Sequence, residues 1–168
     1  PQVAIATDRF GVAGGVVGSL VKFWREKKII WQYVPLFSVI AIVGGYLGAN
    51  LLIKIEPDNL EKIIGIILLS TLPLLFFKPH LGLKRIVVGL GKKITGSLIF
   101  FLLMIYNGFL GTGVGPLVTY NSLQFFGFTI LESNATKVIP WFLFSITSLL
   151  IFVHNGIVDF GLGFSLIA

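Results

Sequence analysis

The chain has 168 residues, of which 55% are hydrophobic and only 12% charged, against roughly 25% charged in an ordinary soluble domain. Thirteen Lys and Arg against seven Asp and Glu leave a net charge of +6, and cysteine is absent. So apolar a composition, with 20 Gly and 16 Phe, describes an all-α, polytopic integral membrane bundle and excludes a soluble enzyme, a nucleic-acid binder, a disulfide framework and a thiolate metal site.

Beginning at Pro1 and stopping inside an apolar run, the sequence reads as a piece of a longer protein, and its N-terminus lacks the layout of a signal peptide. A bilayer core takes about 20 apolar residues of helix. Residues 3–23 are long enough but contain Asp8 and Arg9. Uncharged runs follow over 29–53, 63–77, 94–131 and 138–158, with the start of a further helix at 160–168. The loops sort by charge: residues 22–28 sum to +3, 54–62 to −1, and 78–93 to +5. Short loops rich in Lys and Arg stay in the cytoplasm, so 22–28 and 78–93 are expected inside and 54–62 outside. A short interfacial turn of helix is expected over Val87 to Leu90.

A shift of 129 residues lays Ala6-Thr7 on Ala135-Thr136, Ser19-Leu20 on Ser148-Leu149 and Phe23 on Phe152. Two pseudo-symmetric repeats are therefore expected, since many transporters are two similar halves around a central site. The domain reading is 1–77 as the end of a first repeat (about three membrane helices), 78–93 as a basic cytoplasmic connector, and 94–168 as a second repeat.

One straight helix over 94–131 would span about 57 Å at 1.5 Å per residue, far beyond a ~30 Å core. Gly111, Gly113 and Gly115 followed by Pro116 mark where it should break, because Gly costs about 1 and Pro about 3 kcal/mol in a helix interior. Non-helical backbone at membrane depth survives only when buried in protein or facing a water-filled cavity. Bare peptide N–H groups and a helix N-terminus there would favour an anion. Gly111 and Gly115 would alternatively serve close helix packing, as would the pairs Gly11/Gly15, Gly14/Gly18 and Gly44/Gly48. If 94–131 crosses once, Glu132 lies outside; if it folds back as a re-entrant hairpin, Glu132 lies inside.

The stretch Tyr106-Asn107-Gly108-Phe109-Leu110-Gly111-Thr112-Gly113-Val114-Gly115 resembles the glycine-rich signature of the TauE/SafE sulfite exporter family of membrane permeases. Glu132-Ser133-Asn134-Ala135-Thr136-Lys137 is similar to that family's Ala-Thr-Lys stretch opening a helix, and Asn155-Gly156-Ile157-Val158-Asp159 to its glycine-containing turn. The family usually has Gly where Asn107 stands. The resemblance implies about eight membrane helices in two halves, and movement of small organosulfur compounds or sulfur oxyanions across a prokaryotic cytoplasmic membrane.

Intramembrane polar groups are costly and need a partner or a task. Asn107, Thr112, Thr119, Tyr120 and Asn121 gather around the glycine break, while Lys137 and Arg9 could supply positive charge or snorkel to the headgroups. The expected substrate-binding set is Asn107, Gly108, Gly111, Thr112, Gly113, Gly115, Asn121, Thr136, Lys137, Thr7 and Arg9. No cofactor, metal or nucleic acid is expected; the expected partners are a small sulfur-containing anion, the lipid bilayer and a coupling proton or other ion. A non-transporting membrane scaffold or assembly subunit is the alternative. An intramembrane enzyme would need a paired nucleophile and base or metal ligands, and no such pairing lies within a span.

Overall fold

A computed structural model describes residues 3, 5–7, 22, 23, 28–55, 83, 85–111 and 113–158. Five α-helices have both ends among them, and no strand occurs there: α1 (Val34–Lys54), α2 (Leu90–Leu110), α3 (Val114–Phe126), α4 (Ile130–Thr136) and α5 (Val138–His154); residues 3, 5–7, 22 and 23 are helical as well. Two stretches are long and apolar enough to cross a membrane, Val34–Lys54 and Ile130–His154. Most of the expected span 3–23, the expected span 63–77, most of the acidic loop 54–62 and the helix start at 160–168 lie outside the described residues.

Helix α1 opens with Pro35 in its first turn, where a missing N–H leaves no bond unmade. Its buried face carries small residues: Ser38, Ala41, Gly44, Gly45, Gly48 and Ala49. That face receives α2 on one side and α5 on the other. A methyl group at Gly48 would stand 2.6 Å from the Gly108 Cα, and one at Gly44 would meet Met104 and lie 3.0 Å from its carbonyl carbon. The Gly44/Gly48 pair thus lets two backbones touch, as small-residue pairs do between membrane helices. On the other side, a methyl at Gly45 would press 2.8 Å from the Phe144 ring of α5.

These contacts fix direction. Phe37 stacks on Phe100, with ring centroids 4.5 Å apart, while Gly48 meets Gly108 further along both helices, so α1 and α2 are parallel. Gly45 meets Phe144 and Ser148, and Leu52 shares a cluster with Phe152, so α5 is parallel to them as well. Helix α3 runs the opposite way. Gly96, near the start of α2, lies against Phe125 and Phe126 at the end of α3. Across the hairpin mouth the Ile86 N–H donates to the Gly127 carbonyl at 3.0 Å. The long uncharged run therefore folds back on itself. Helix α3 has 13 residues, about 20 Å at 1.5 Å per residue and too short for a ~30 Å core.

Three local expectations are corrected. Residues 85–89 form no helix: the β-branched run Ile86-Val87-Val88 disfavours one, the Ile86 N–H bonds the Gly127 carbonyl, and Gly89 is extended. Helix α2 begins at Leu90, so Lys92 and Lys93 ride on its first turn instead of belonging to the connector. The Ala-Thr-Lys stretch leads into α5, with Lys137 as its N-cap, but it does not open the first helix after Gly127. Helix α4 starts earlier, at Ile130, under a reciprocal cap in which Thr129 Oγ1 accepts the Glu132 N–H at 3.2 Å and Glu132 Oε2 accepts the Thr129 N–H at 2.9 Å. Lys137 forms the joint between α4 and α5, since Pro140 has no N–H to give the Thr136 carbonyl.

Two measurements check this architecture. Residues 1–168 have no cysteine, so single cysteines at Val87 and Ile130 in the full-length protein should be labelled by an impermeant maleimide from the same membrane side. Labelling from opposite sides would mean a single crossing. Gly48→Leu should lower thermal stability by about 1–3 kcal/mol, the usual cost of overpacking.

Candidate functional site at the glycine reversal and Lys137

The reversal is built from glycines in a backbone conformation that other residues rarely adopt. Gly111 has φ +83° and Gly113 φ +78°, with Val114 starting α3 directly afterwards. The Gly111 N–H donates to the Asn107 carbonyl at 2.9 Å and so closes α2. Gly113 and Pro116 are exposed, and among the described residues no atom lies within 4 Å of where a Cβ at Gly115 would stand. The start of α3 thus has an open side. Among those residues nothing packs on Gly115 as a small-residue pair would require. Because Gly108 rests on Gly48, the reversal one turn later is level with the last third of α1.

From Gly115 one helical turn leads to Thr119, whose hydroxyl lies 3.0 Å from the Gly115 carbonyl. The Lys137 ammonium donates to Thr119 Oγ1 at 3.0 Å, and Asn134 Oδ1 is 3.5 Å from the same hydroxyl. Trp141 flanks the ammonium, 5.8 Å from its ring centroid, within cation–π range. Arg85 and Glu132 pair with each other at 3.8 Å. Among the described residues no carboxylate pairs with Lys137. A half-buried cation therefore rests on a hydroxyl that itself approaches a side-chain amide, one turn from the reversal and on α3's open side. Such an arrangement can bind an anion through one charge, a hydroxyl, a side-chain amide and free backbone N–H groups. The described residues contain no cluster of His, Cys, Asp or Glu able to hold a metal.

The expected site residues divide accordingly. Gly111, Gly113, Gly115 and Lys137 fall along this line from the reversal to the α4–α5 joint. Asn107 is fully buried beneath the reversal. Gly108 is a packing contact with α1. Asn121 lies on another face of α3, where its Nδ2 donates to the Gly96 carbonyl at 3.1 Å and ties the hairpin together. Thr136 accepts the Ile30 N–H at 3.0 Å and anchors the chain entering α1. Thr7 is buried next to Ala6, which packs with Ala49, Leu52, Phe109 and Phe152 at the far ends of α1, α2 and α5. Thr112 and Arg9 lie outside the described residues. Asn134 was not in the expected set, and Thr119 appeared only among the polar residues near the break. Their signal was present: Asn134 is three residues before Lys137 and so shares its helix face, and an asparagine amide there needs a partner.

Over residues 1–168 the chain matches the family model described as Sulfite exporter TauE/SafE. It is 23% identical over 168 residues to a "Probable membrane transporter protein" of Haemophilus influenzae, covering all of this chain and 66% of that protein. It is 26% identical to "Probable membrane transporter protein YfcA" of Escherichia coli K12, covering 98% of this chain and 61% of that protein. The chain thus spans under two thirds of the length of these relatives. No solved structure matches it.

The polar cluster predicts non-additive stability. Thr119→Val should cost about 1.5–3 kcal/mol, the range for a hydrogen bond to a charged group. Lys137→Met should then cost less in the Thr119→Val background than in the wild type, because both changes remove one shared bond. Equal costs in denaturant unfolding of the detergent-solubilised protein would mean that the bond contributes nothing.

Proposed function

The chain belongs to the sulfite exporter TauE/SafE family, and from that membership we propose that the whole protein is a secondary permease moving a small anion across the cytoplasmic membrane. Sulfite, a sulfonate or another organosulfur compound is the proposed substrate. The observation that carries this reading is Lys137: a cation inside a helical bundle, hydrogen-bonded to Thr119 and paired with no carboxylate among the described residues. Burying an unpaired charge is expensive, and a transported anion would offset that cost whenever it is bound.

In this mechanism the anion enters beside the reversal, where the N–H groups at the start of α3 and the helix's positive end face the open side. It exchanges contacts with Thr119 and Asn134 and receives the Lys137 ammonium. With the basic ends of α1 and α2 inside, the reversal occupies the outer half of the bilayer and Lys137 the inner half. The two groups are then successive stations on one path, and not parts of a single mid-bilayer pocket.

Inverted repeats are part of the proposal. The 129-residue shift carries Ala6 onto Ala135 and Phe23 onto Phe152. Ala6 and Phe152 share the cluster at the C-terminal end of α1, whereas Phe23 and Ala135 share the one at its N-terminal end. Matched residues thus exchange ends of the bundle, which is the relation that inverted repeats require.

Full-length protein in liposomes tests the reading. Saturable movement of sulfite, a sulfonate or thiosulfate is expected, and its absence for all three would overturn the assignment in favour of a scaffold. Gly113→Leu should abolish transport while the protein remains inserted and folded, because a bulky residue cannot readily hold φ +78°. Lys137→Ala should raise the apparent KM by about ten-fold or more, the equivalent of one charge-assisted hydrogen bond. Unchanged kinetics in Lys137→Ala would reduce the lysine to an interfacial anchor.

A further inference from the structure

At the end of the bundle marked by basic residues, a groove of about 470 Å³ opens between the start of α1 and the first turns of α2. Phe126, at the end of α3, also borders it. Its lining is mainly apolar (Tyr33, Leu36, Ile94 and Phe126), with Gln32, Lys93 and Ser97 as its polar members. Lys93 Nζ stands 5.6 Å from the Tyr33 ring centroid. Among the described residues no carboxylate pairs with it.

Above the groove the apolar surface continues along both helices. On α2 it is Ile94, Leu98 and Leu102, spaced by four and exposed; on α1 it is Leu36, Val39 and Val43, also exposed. A cation at the foot of a furrow and uninterrupted hydrocarbon above it match the shape and charge of one amphiphile. The basic residues place this foot at the cytoplasmic leaflet, whose surface is negative and where basic pockets between membrane helices take up anionic headgroups. A free phosphate would use Lys93 but leave the apolar track without a function.

We propose that this groove seats one anionic phospholipid of the inner leaflet, with its phosphate at Lys93 and Gln32 and its acyl chains lying along Ile94–Leu98–Leu102 and Leu36–Val39–Val43. The seat is separate from the reversal and the Lys137 cluster, and it depends on the sidedness given by the basic residues, not on transport.

The test uses full-length protein in detergent, with phosphatidylglycerol, phosphatidylcholine of the same acyl chains, and inorganic phosphate as probes. Thermal stability and retained lipid in native mass spectrometry are the readouts. Phosphatidylglycerol should raise the melting temperature and remain as one bound lipid; phosphatidylcholine and phosphate should not. Lys93→Gln should weaken the phosphatidylglycerol effect about five-fold or more, from roughly 1 kcal/mol per basic group near anionic lipid. Lys92→Gln removes the same charge one residue away, from a residue that lines a different hollow with Val87 and Gln124, and should change it little. Leu98→Asn, on the exposed track, should weaken lipid retention without unfolding the protein. Equal effects of the two phospholipids, protection by phosphate alone, or equal losses in Lys92→Gln and Lys93→Gln would overturn the proposal.

Discussion

The reversal of the chain between Leu110 and Val114 governs where every later element lies. Two glycines with positive φ turn α2 into α3 within three residues, and the hairpin then returns Gly127 to Ile86. Without that turn, the uncharged run would deliver Glu132 and the α4–α5 stretch to the opposite end of the bundle. With it, α5 starts at the same end as α1 and α2 and can lie parallel to α1. Lys137, carried at the head of α5, reaches Thr119 only because α3 has come back.

Close packing supplies the rigidity that such a turn needs. Hydrocarbon surroundings provide little drive for apolar side chains to associate, so helices in a membrane adhere through contact and through backbone approach. Here α1 is the surface on which the others assemble. It meets α2 through Gly44 and Gly48, and α5 through Gly45. Gly108 faces Gly48 one turn before the reversal, so the same contact that joins two helices also sets the height at which the peptide groups open. Asn121 completes the hairpin by binding the Gly96 carbonyl. The rigid frame and the open turn are neighbouring parts of one chain segment.

The polar groups show a division of labour that residue type alone does not reveal. Thr95, Ser97, Ser122 and Thr147 each return a hydroxyl proton to the carbonyl four residues earlier, a local solution open to any Ser or Thr in a helix. Thr119 makes the same bond and also accepts one from Lys137. Thr136, expected beside Lys137 in the site, instead holds the segment leading into α1. Adjacent positions on a helix point some 100° apart, so neighbours in sequence can serve different surfaces.

Membrane class, two of the apolar stretches and the region of the break could be read from the residues alone, because each depends on a sum or a local preference. Composition measures how much surface must avoid water, run length measures reach across hydrocarbon, and Gly-x-Gly-x-Gly-Pro weakens any helix. Loop charge set apart the basic ends of α1 and α2, and the structure brings those ends together. Only the folded chain could decide whether the 94–131 run reverses, which glycines touch a neighbour and which face open space. Gly108 and Gly115 are chemically identical, and what separates them is whether another helix arrives within 4 Å. The meeting of Lys137 and Asn134 at the Thr119 hydroxyl was likewise decided by tertiary structure, since it joins two helices across a turn whose geometry is not a local property of either.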